Sequence, residues 1–200
     1  MRLFVFARHG HTTYNVEHRI NGDPSVPVAL SEHGRLQARH LGLMIAHFDF
    51  DICVHTRFPR TIETARLALG ERFDRLPRLE EAGLDDTYIG DLDGWTIDEY
   101  RAWKAEHTRH DRFPGGESLD ETARRYAGAF RRLAERPEQT MLVVCHDIPV
   151  RYLLNAATGS TELDHPHHAI PNATPFLVGE RALVEAAEQI DRIVDATLVA

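Results

Sequence analysis

No part of this 200-residue sequence approaches the roughly 20 consecutive apolar residues that a membrane-spanning helix requires. The opening stretch, Met1 to Arg8, is too short for a signal peptide and itself reads as a strand, so the expected location is cytoplasmic. Cysteine is scarce. Cys53 and Cys145 are the only two, and each closes an apolar run, which argues for buried reduced thiols over a disulfide framework or a cysteine-built metal cage. Positive charge is also in short supply: 23 basic against 31 acidic residues leave a net charge of −8. That balance disfavours any general attraction to nucleic acid or to an anionic membrane, so an anionic ligand must be captured by a local group of residues. Internal repeats and low-complexity linkers are missing too. With 42% hydrophobic residues, a chain of this length is expected to form one domain over 1–200 and to bury about 70% of its unfolded surface.

The apolar segments alternate between two periods. Arg2 to Ala7 is a nearly continuous apolar run that ends abruptly in Arg8-His9-Gly10-His11-Thr12, the pattern of a buried strand delivering polar residues at its carboxyl end. Ser31 is a plausible N-cap for a helix carrying Gly34, Ala38, Leu41, Ile45 and Phe48 at helical spacing. Asp51 to His55 reads as a second strand, and Pro59 suits the first turn of a helix running to Leu69, which puts Arg60 at a strand-to-helix junction. The acidic, glycine-punctuated stretch after Glu80 and a short helix over Trp95 to His107 suggest that 80–116 forms a cap over the site, with Trp95, Tyr100 and Trp103 packing. Ser118-Leu-Asp-Glu121 is a capping box opening a further helix that ends by Pro137. Met141 to Cys145 repeats the first strand's layout, ending in His146-Asp147 before a helix through Val150 to Ala157. Two more strands are expected, around Phe176 to Val178 and Gln189 to Val194. The alternation implies a three-layer α/β/α sandwich around a mostly parallel sheet.

Arg8-His9, Arg60 and His146 thus fall at three strand ends, where open α/β sheets bind ligands. A phosphomonoester dianion needs its equatorial oxygens neutralised as the phosphoryl group transfers, and guanidinium groups do this with a rigid fork of donors. Neighbouring Arg charge keeps an imidazole neutral, so His9 is the candidate nucleophile for a covalent phosphohistidine. His146 is a candidate donor to a phosphoryl oxygen, and a carboxylic acid must protonate the leaving alcohol and later activate water. That chemistry calls for no metal and no cofactor.

Arg8-His9-Gly10-His11-Thr12-Thr13-Tyr14-Asn15 resembles the R-H-G-x-T-x-x-N opening of the histidine phosphatase superfamily, the phosphoglycerate mutase-like proteins. Leu30 to Ala38 is similar to the family's L-[ST]-x-x-G-x-x-Q-A helix start, Arg60 to Ala65 to its R-A-x-x-T-A segment, and Pro114 to Ser118 to the P-G-G-E-S turn of its small phosphatase branch. The resemblance implies His9 as phosphate acceptor, Arg8, Arg60 and His146 as the phosphate pocket, Asn15 as an accessory contact and Gly22 as a possible backbone donor. For the acid it points to Asp86, four residues before Gly90 in Gly90-Asp-Leu-Asp-Gly94, where the family usually has Glu. Asp147 is the rival, since the acid-phosphatase branch resembles this chain in having His-Asp there; Glu81 and Asp85 come next. Arg57, where the family has a S-S-P-L-like turn, either adds charge beside the pocket or is solvated.

The thirteen histidines do not form a metal pattern: His165-Pro-His-His168 has no matching second pair and no nearby cysteine. His107 and His110 either reach the substrate from the cap or belong to a polar helix end. The expected function is a metal-independent phosphatase acting on a small-molecule phosphomonoester. The alternatives are a phosphoglycerate-type mutase and a non-catalytic module that binds phosphorylated ligands. Neither the physiological substrate nor the oligomeric state is fixed by these residues.

Overall fold

The computed structural model describes residues 2–197. Five strands, β1 (Leu3–Arg8), β2 (Ile52–His55), β3 (Arg78–Glu80), β4 (Thr140–Cys145) and β5 (Pro175–Gly179), form one sheet in the order β3-β2-β4-β1-β5. Every neighbouring pair is parallel except β1 and β5. In β1, Phe4 and Phe6 join the core on one side while Val5 and Ala7 join the core on the other; in β4, Met141, Val143 and Cys145 alternate with Leu142 and Val144 in the same way. Strands buried on both faces need apolar residues at every position, which is why both read as unbroken apolar runs.

The helices in chain order are α1 (Thr13–Val16), α2 (Glu32–Met44), α3 (Pro59–Leu69), α4 (Arg72–Arg75), α5 (Ile97–Ala105), α6 (Leu119–Ala134), α7 (Asp147–Ala157) and α8 (Glu180–Thr197). Helices α6, α7 and α8 cover one face of the sheet and α2 and α3 the other, giving the three layers. Ser31 caps α2 by accepting from the Gly34 amide, and the Ser118–Glu121 capping box opens α6. Cys53 and Cys145 are buried free thiols; burial pushes the Cys53 thiol up to about 12 and that of Cys145 higher still, so neither is a thiolate near neutrality.

Two elements depart from the sequence expectations. Gln189 to Val194, expected as a strand, lies inside α8, whose core face runs Leu183, Ala186, Ala187, Ile190 and Val194. That face has helical spacing over 12 residues, and a six-residue window rich in Ile and Val hides it. β3 was not anticipated, because three residues reading Arg-Leu-Glu at a sheet edge carry almost no apolar signal. In the 80–116 segment the helix spans only Ile97–Ala105, opened by a Thr96–Glu99 capping box. Tyr100 and Trp103 pack on Phe113 beside Ile89, Leu92 and Ile20, whereas Trp95 stays exposed and takes no part in that packing.

Register sets up the site. Ala7 pairs with Val144 and Arg8 with Cys145 on one side of β4, and His55 pairs with Val144 on the other. The carboxyl ends of β1, β2 and β4 therefore finish level, and the residues that follow, His9, Thr56 and His146, emerge at one edge of the sheet.

Candidate active site

A cavity of about 190 Å³ opens at that edge, lined among others by Arg8, His9, Asn15, Gly22, Arg60, Asp86 and Asp147. Six of the residues expected from the sequence to form the site thus face one space together with the rival acid, and His146 sits directly behind them, its ring 5.4 Å from that of His9.

The His9 ring is buried and its Nδ1 lies 2.8 Å from the Gly10 carbonyl oxygen. A carbonyl can only accept, so Nδ1 carries the proton and Nε2 keeps its lone pair. The loop that makes this bond is held tightly: the Gly10 amide donates to Thr64 Oγ1 of α3 at 3.0 Å, and the Asn172 side-chain amide donates to the His9 carbonyl at 2.8 Å. Gly10 also lies flat against α2, where a Cβ would come within 2.5 Å of the Gly34 carbonyl oxygen, while a Cβ on Gly34 would run into the His11 carbonyl. Both glycines are required by that close approach of backbone to backbone.

His146 Nδ1 lies 3.3 Å from the Arg60 guanidinium, which can only donate, so Nδ1 accepts and Nε2–H donates to Thr56 Oγ1 at 2.9 Å. Thr56 Oγ1 in turn donates to Thr61 Oγ1, which donates to the Phe58 carbonyl. This buried chain fixes the His146 tautomer and ring plane. Arg60, itself buried, reaches the Asn21 carbonyl at 3.2 Å and Asp86 Oδ2 at 3.3 Å through Nη2, and donates to Asn21 Oδ1 through Nη1. The Asn21 loop is pinned by Asp93, whose Oδ1 accepts from the Gly22 amide at 2.6 Å and the Asp23 amide at 3.2 Å. The Gly22 amide expected to meet phosphate is therefore already engaged by Asp93. Arg8 donates to the Ile170 carbonyl at 2.7 Å, while its buried Nε–H has no protein partner. Asn15 closes a capping box with Thr12 through Oδ1.

Electrostatics separate the titratable groups. Burial lowers the His9 pKa well below the usual imidazole value, and Arg60 and Arg8 lower it further; His146 is lowered likewise by burial, Arg60 and His9. Both rings are neutral at pH 7. Burial brings Arg60 down to about 10, opposed by Asp86, so it stays cationic. Burial raises the Asp86 carboxyl above its ordinary value, against the pull of Arg60 and with help from the nearby Asp147 charge. Asp147 is differently placed. Its Oδ1 accepts from the Ile170 amide at 2.6 Å and lies 3.7 Å from Arg8, and its Oδ2 lies 3.6 Å from Arg151. The ion pairs continue from Arg151 through Asp164 and Arg109 to Asp120 near the start of α6. Of the two rivals, Asp86 has the more weakly bonded carboxyl and Asp147 is built into an ion-pair chain.

A stability prediction follows from the two neutral rings. Below pH 6.5 the unfolded chain protonates both imidazoles while the folded chain keeps them neutral, so the unfolded state binds more protons and stability falls as pH drops. The limiting slope for two groups is about 2.7 kcal/mol per pH unit. Urea unfolding at pH 7.5 and 5.5 should show this loss, and it should be roughly halved in His146→Asn.

The remaining candidates lie elsewhere. Glu81 caps a 3-10 turn and pairs with Arg132; Asp85 accepts from the Arg57 amide and guanidinium. Arg57, about half exposed, borders a neighbouring cavity and not the one holding His9. His107 stacks on Trp103 and His110 meets Asp120, both away from the cavity lining. Among the described residues, no three of His, Cys, Asp or Glu gather in a group that could hold a metal ion, and no helix is long and apolar enough to cross a membrane. Thr56, Asn21, Asp93 and Asn172 escaped the sequence reading. Asn21 directly precedes Gly22, and Asp93 lies within the Gly90–Gly94 pattern, but nothing local announces their partners.

Known proteins resemble this chain over most of its length. A model of the histidine phosphatase superfamily (branch 1) matches residues 4–178. A 2,3-bisphosphoglycerate-dependent phosphoglycerate mutase 2 of Gloeobacter violaceus is 33% identical over 177 residues, covering 82% of this chain and 77% of the mutase. An uncharacterized phosphatase, PhoE, of Bacillus subtilis is 26% identical over 160 residues, covering 80% and 79%. Among solved structures, the mycobacterial glucosyl-3-phosphoglycerate phosphatase in complex with VO3 superposes with a TM-score of 0.73 at 26% identity, over 90% of this chain and 93% of that one. With the family motif spanning most of the sequence and the same fold carrying it, this chain belongs to the histidine phosphatase superfamily, branch 1.

Proposed function

We propose that the chain hydrolyses a small phosphomonoester through a covalent phosphohistidine on His9, without a metal. The observation that carries this reading is the meeting of a neutral, correctly protonated His9 with Arg8, Arg60 and Asp86 at one cavity. In the first step the His9 Nε2 lone pair attacks phosphorus, the P–O bond to the alcohol breaks, and Asp86 gives its proton to the departing oxygen. Arg8 and Arg60 neutralise charge on the equatorial oxygens. His146 joins them where the phosphate itself brings a proton to Nδ1; in the free site burial first, and Arg60 after it, keep that ring neutral. In the second step the Asp86 carboxylate takes a proton from water as the water oxygen attacks phosphorus and the P–N bond breaks. Phosphate leaves, His9 is neutral again and Asp86 is again protonated. In this reading the 80–116 segment acts as a cap, since Asp86, Thr87, Ile89, Ile97 and Tyr100 line the cavity.

The 33% identity to a mutase supports a second reading, in which a substrate hydroxyl replaces water in the second step. One assay separates them. Turnover of p-nitrophenyl phosphate is expected to persist after exhaustive dialysis against EDTA, with phosphate released in step with nitrophenol. Activity lost on dialysis and restored by a divalent ion would overturn metal independence. Interconversion of 2- and 3-phosphoglycerate, primed by 2,3-bisphosphoglycerate and faster than phosphate release, would favour the mutase. A chain inert in both assays that still binds vanadate would be a binding module.

A further inference from the structure

We propose that the leaving-group half of the cavity selects an uncharged alcohol with an apolar or aromatic face, and that Tyr100 of α5 reads it; this rests on the phosphatase reading above. Once Arg8, His9, Arg60 and Asp86 are assigned to the phosphoryl group, half of the remaining wall is apolar or aromatic, with Tyr14, Ile20, Val28, Ile97, Tyr100 and Ile148 in it. Tyr100 does not stand free, because its ring stacks on Phe113 with centroids 5.8 Å apart, within the small core that anchors α5. It offers a fixed aromatic surface.

Several polar groups of the wall already have partners, Thr87 Oγ1 being an exception. Thr12 and Asn15 close their capping box, Asn21 is engaged by Arg60 and Asp93, and the Gly22 amide is held by Asp93. The third arginine at the cavity, Arg19, donates to the Gly94 carbonyl at 2.6 Å and pairs with Glu17 at 3.3 Å. A carboxylate or second phosphate on the leaving group would meet apolar walls and, as cation, Arg19, whose charge is already shared with Glu17. An apolar ring would instead bury surface on both partners. Size agrees: a cavity of about 150 Å³ takes up benzene, and this one of about 190 Å³ accommodates the phosphoryl group and the first part of a ring, the remainder reaching the mouth.

The test uses four primary alkyl phosphates, whose leaving groups need similar protonation: benzyl phosphate, 2-naphthylmethyl phosphate, glycerol 3-phosphate and 3-phosphoglycerate. The two aromatic esters should exceed 3-phosphoglycerate in kcat/KM by at least about tenfold. Tyr100→Ala should shrink that preference by about tenfold, mainly through KM of the aromatic esters. Tyr100→Phe keeps the ring and should keep the preference, and Ile97→Asn, on the same helix, provides a second reading should Tyr100→Ala fold poorly. Turnover of 3-phosphoglycerate equal to or above that of benzyl phosphate overturns the subsite, as does a preference untouched by Tyr100→Ala and Ile97→Asn. Failure to turn over any of the four overturns the phosphatase reading itself, a pattern distinct from active enzyme with the wrong preference.

Discussion

Substituting His9 by alanine should reduce turnover of every phosphomonoester by about 10⁴- to 10⁶-fold, the range seen when a covalent nucleophile is removed from an otherwise intact site. The loss should be indifferent to the leaving group, because no ester avoids the attack on phosphorus. It should also leave phosphate-analogue binding largely intact, since Arg8 and Arg60 are held by Ile170, Asn21 and Asp86 and not by the His9 ring. Steady-state kinetics on nitrophenyl and alkyl esters, with vanadate binding measured alongside, check both halves of the expectation. A variant that loses vanadate binding together with activity would indicate that the site had collapsed, and an active His9→Ala would remove the covalent route.

The second large effect separates the two candidate acids. Asp86→Asn should cost about 10²- to 10⁴-fold on an alkyl phosphate, whose alkoxide must be protonated as it leaves, but less than about tenfold on p-nitrophenyl phosphate, whose phenolate leaves without help. Asp147→Asn should act differently, raising KM for all esters by a similar factor, because Asp147 steadies Arg8 and the Ile170 amide. The pH dependence supplies a third readout. Attack needs neutral His9, whose pKa lies below 6.5, and proton donation needs protonated Asp86, whose pKa lies above 3.8. For an alkyl ester kcat/KM should therefore fall as pH rises through the Asp86 value. That alkaline limb should be absent with p-nitrophenyl phosphate and absent in Asp86→Asn. If the leaving-group dependence appears in Asp147→Asn and not in Asp86→Asn, the two roles are reversed.

Most of the sheet was legible because β1 and β4 are buried on both faces, leaving unbroken apolar runs that end in charged residues. The same abrupt endings marked Arg8, His9 and His146, and the level register of the strands brings them together. Arg60 was legible for another reason: Pro59 marks the first turn of α3. Legibility stops where a role depends on chain segments far apart. Thr56 matters because it accepts from His146, ninety positions away, and Asp93 because it holds the Gly22 amide; neither bond leaves a periodicity in the sequence. Gly22, which the resemblance offered as a backbone donor, lines the cavity with its amide bonded to Asp93, a partner that no local pattern announces. The misreading of Gln189–Val194 came from window length, since Ile190 and Val194 reveal their helical face only when Leu183 and Ala187 are included.

On this mechanism every phosphoryl group passes through His9 Nε2. Rapid mixing of enzyme with p-nitrophenyl phosphate, followed by an alkaline quench that preserves phosphoramidates and peptide mass spectrometry, tests it most directly. The expected result is one added phosphoryl group on the peptide containing His9, stable to alkali, lost in acid, and absent from His9→Ala. Steady turnover with an unlabelled His9 peptide at every quench time, or a phosphoryl group on another residue, would contradict it.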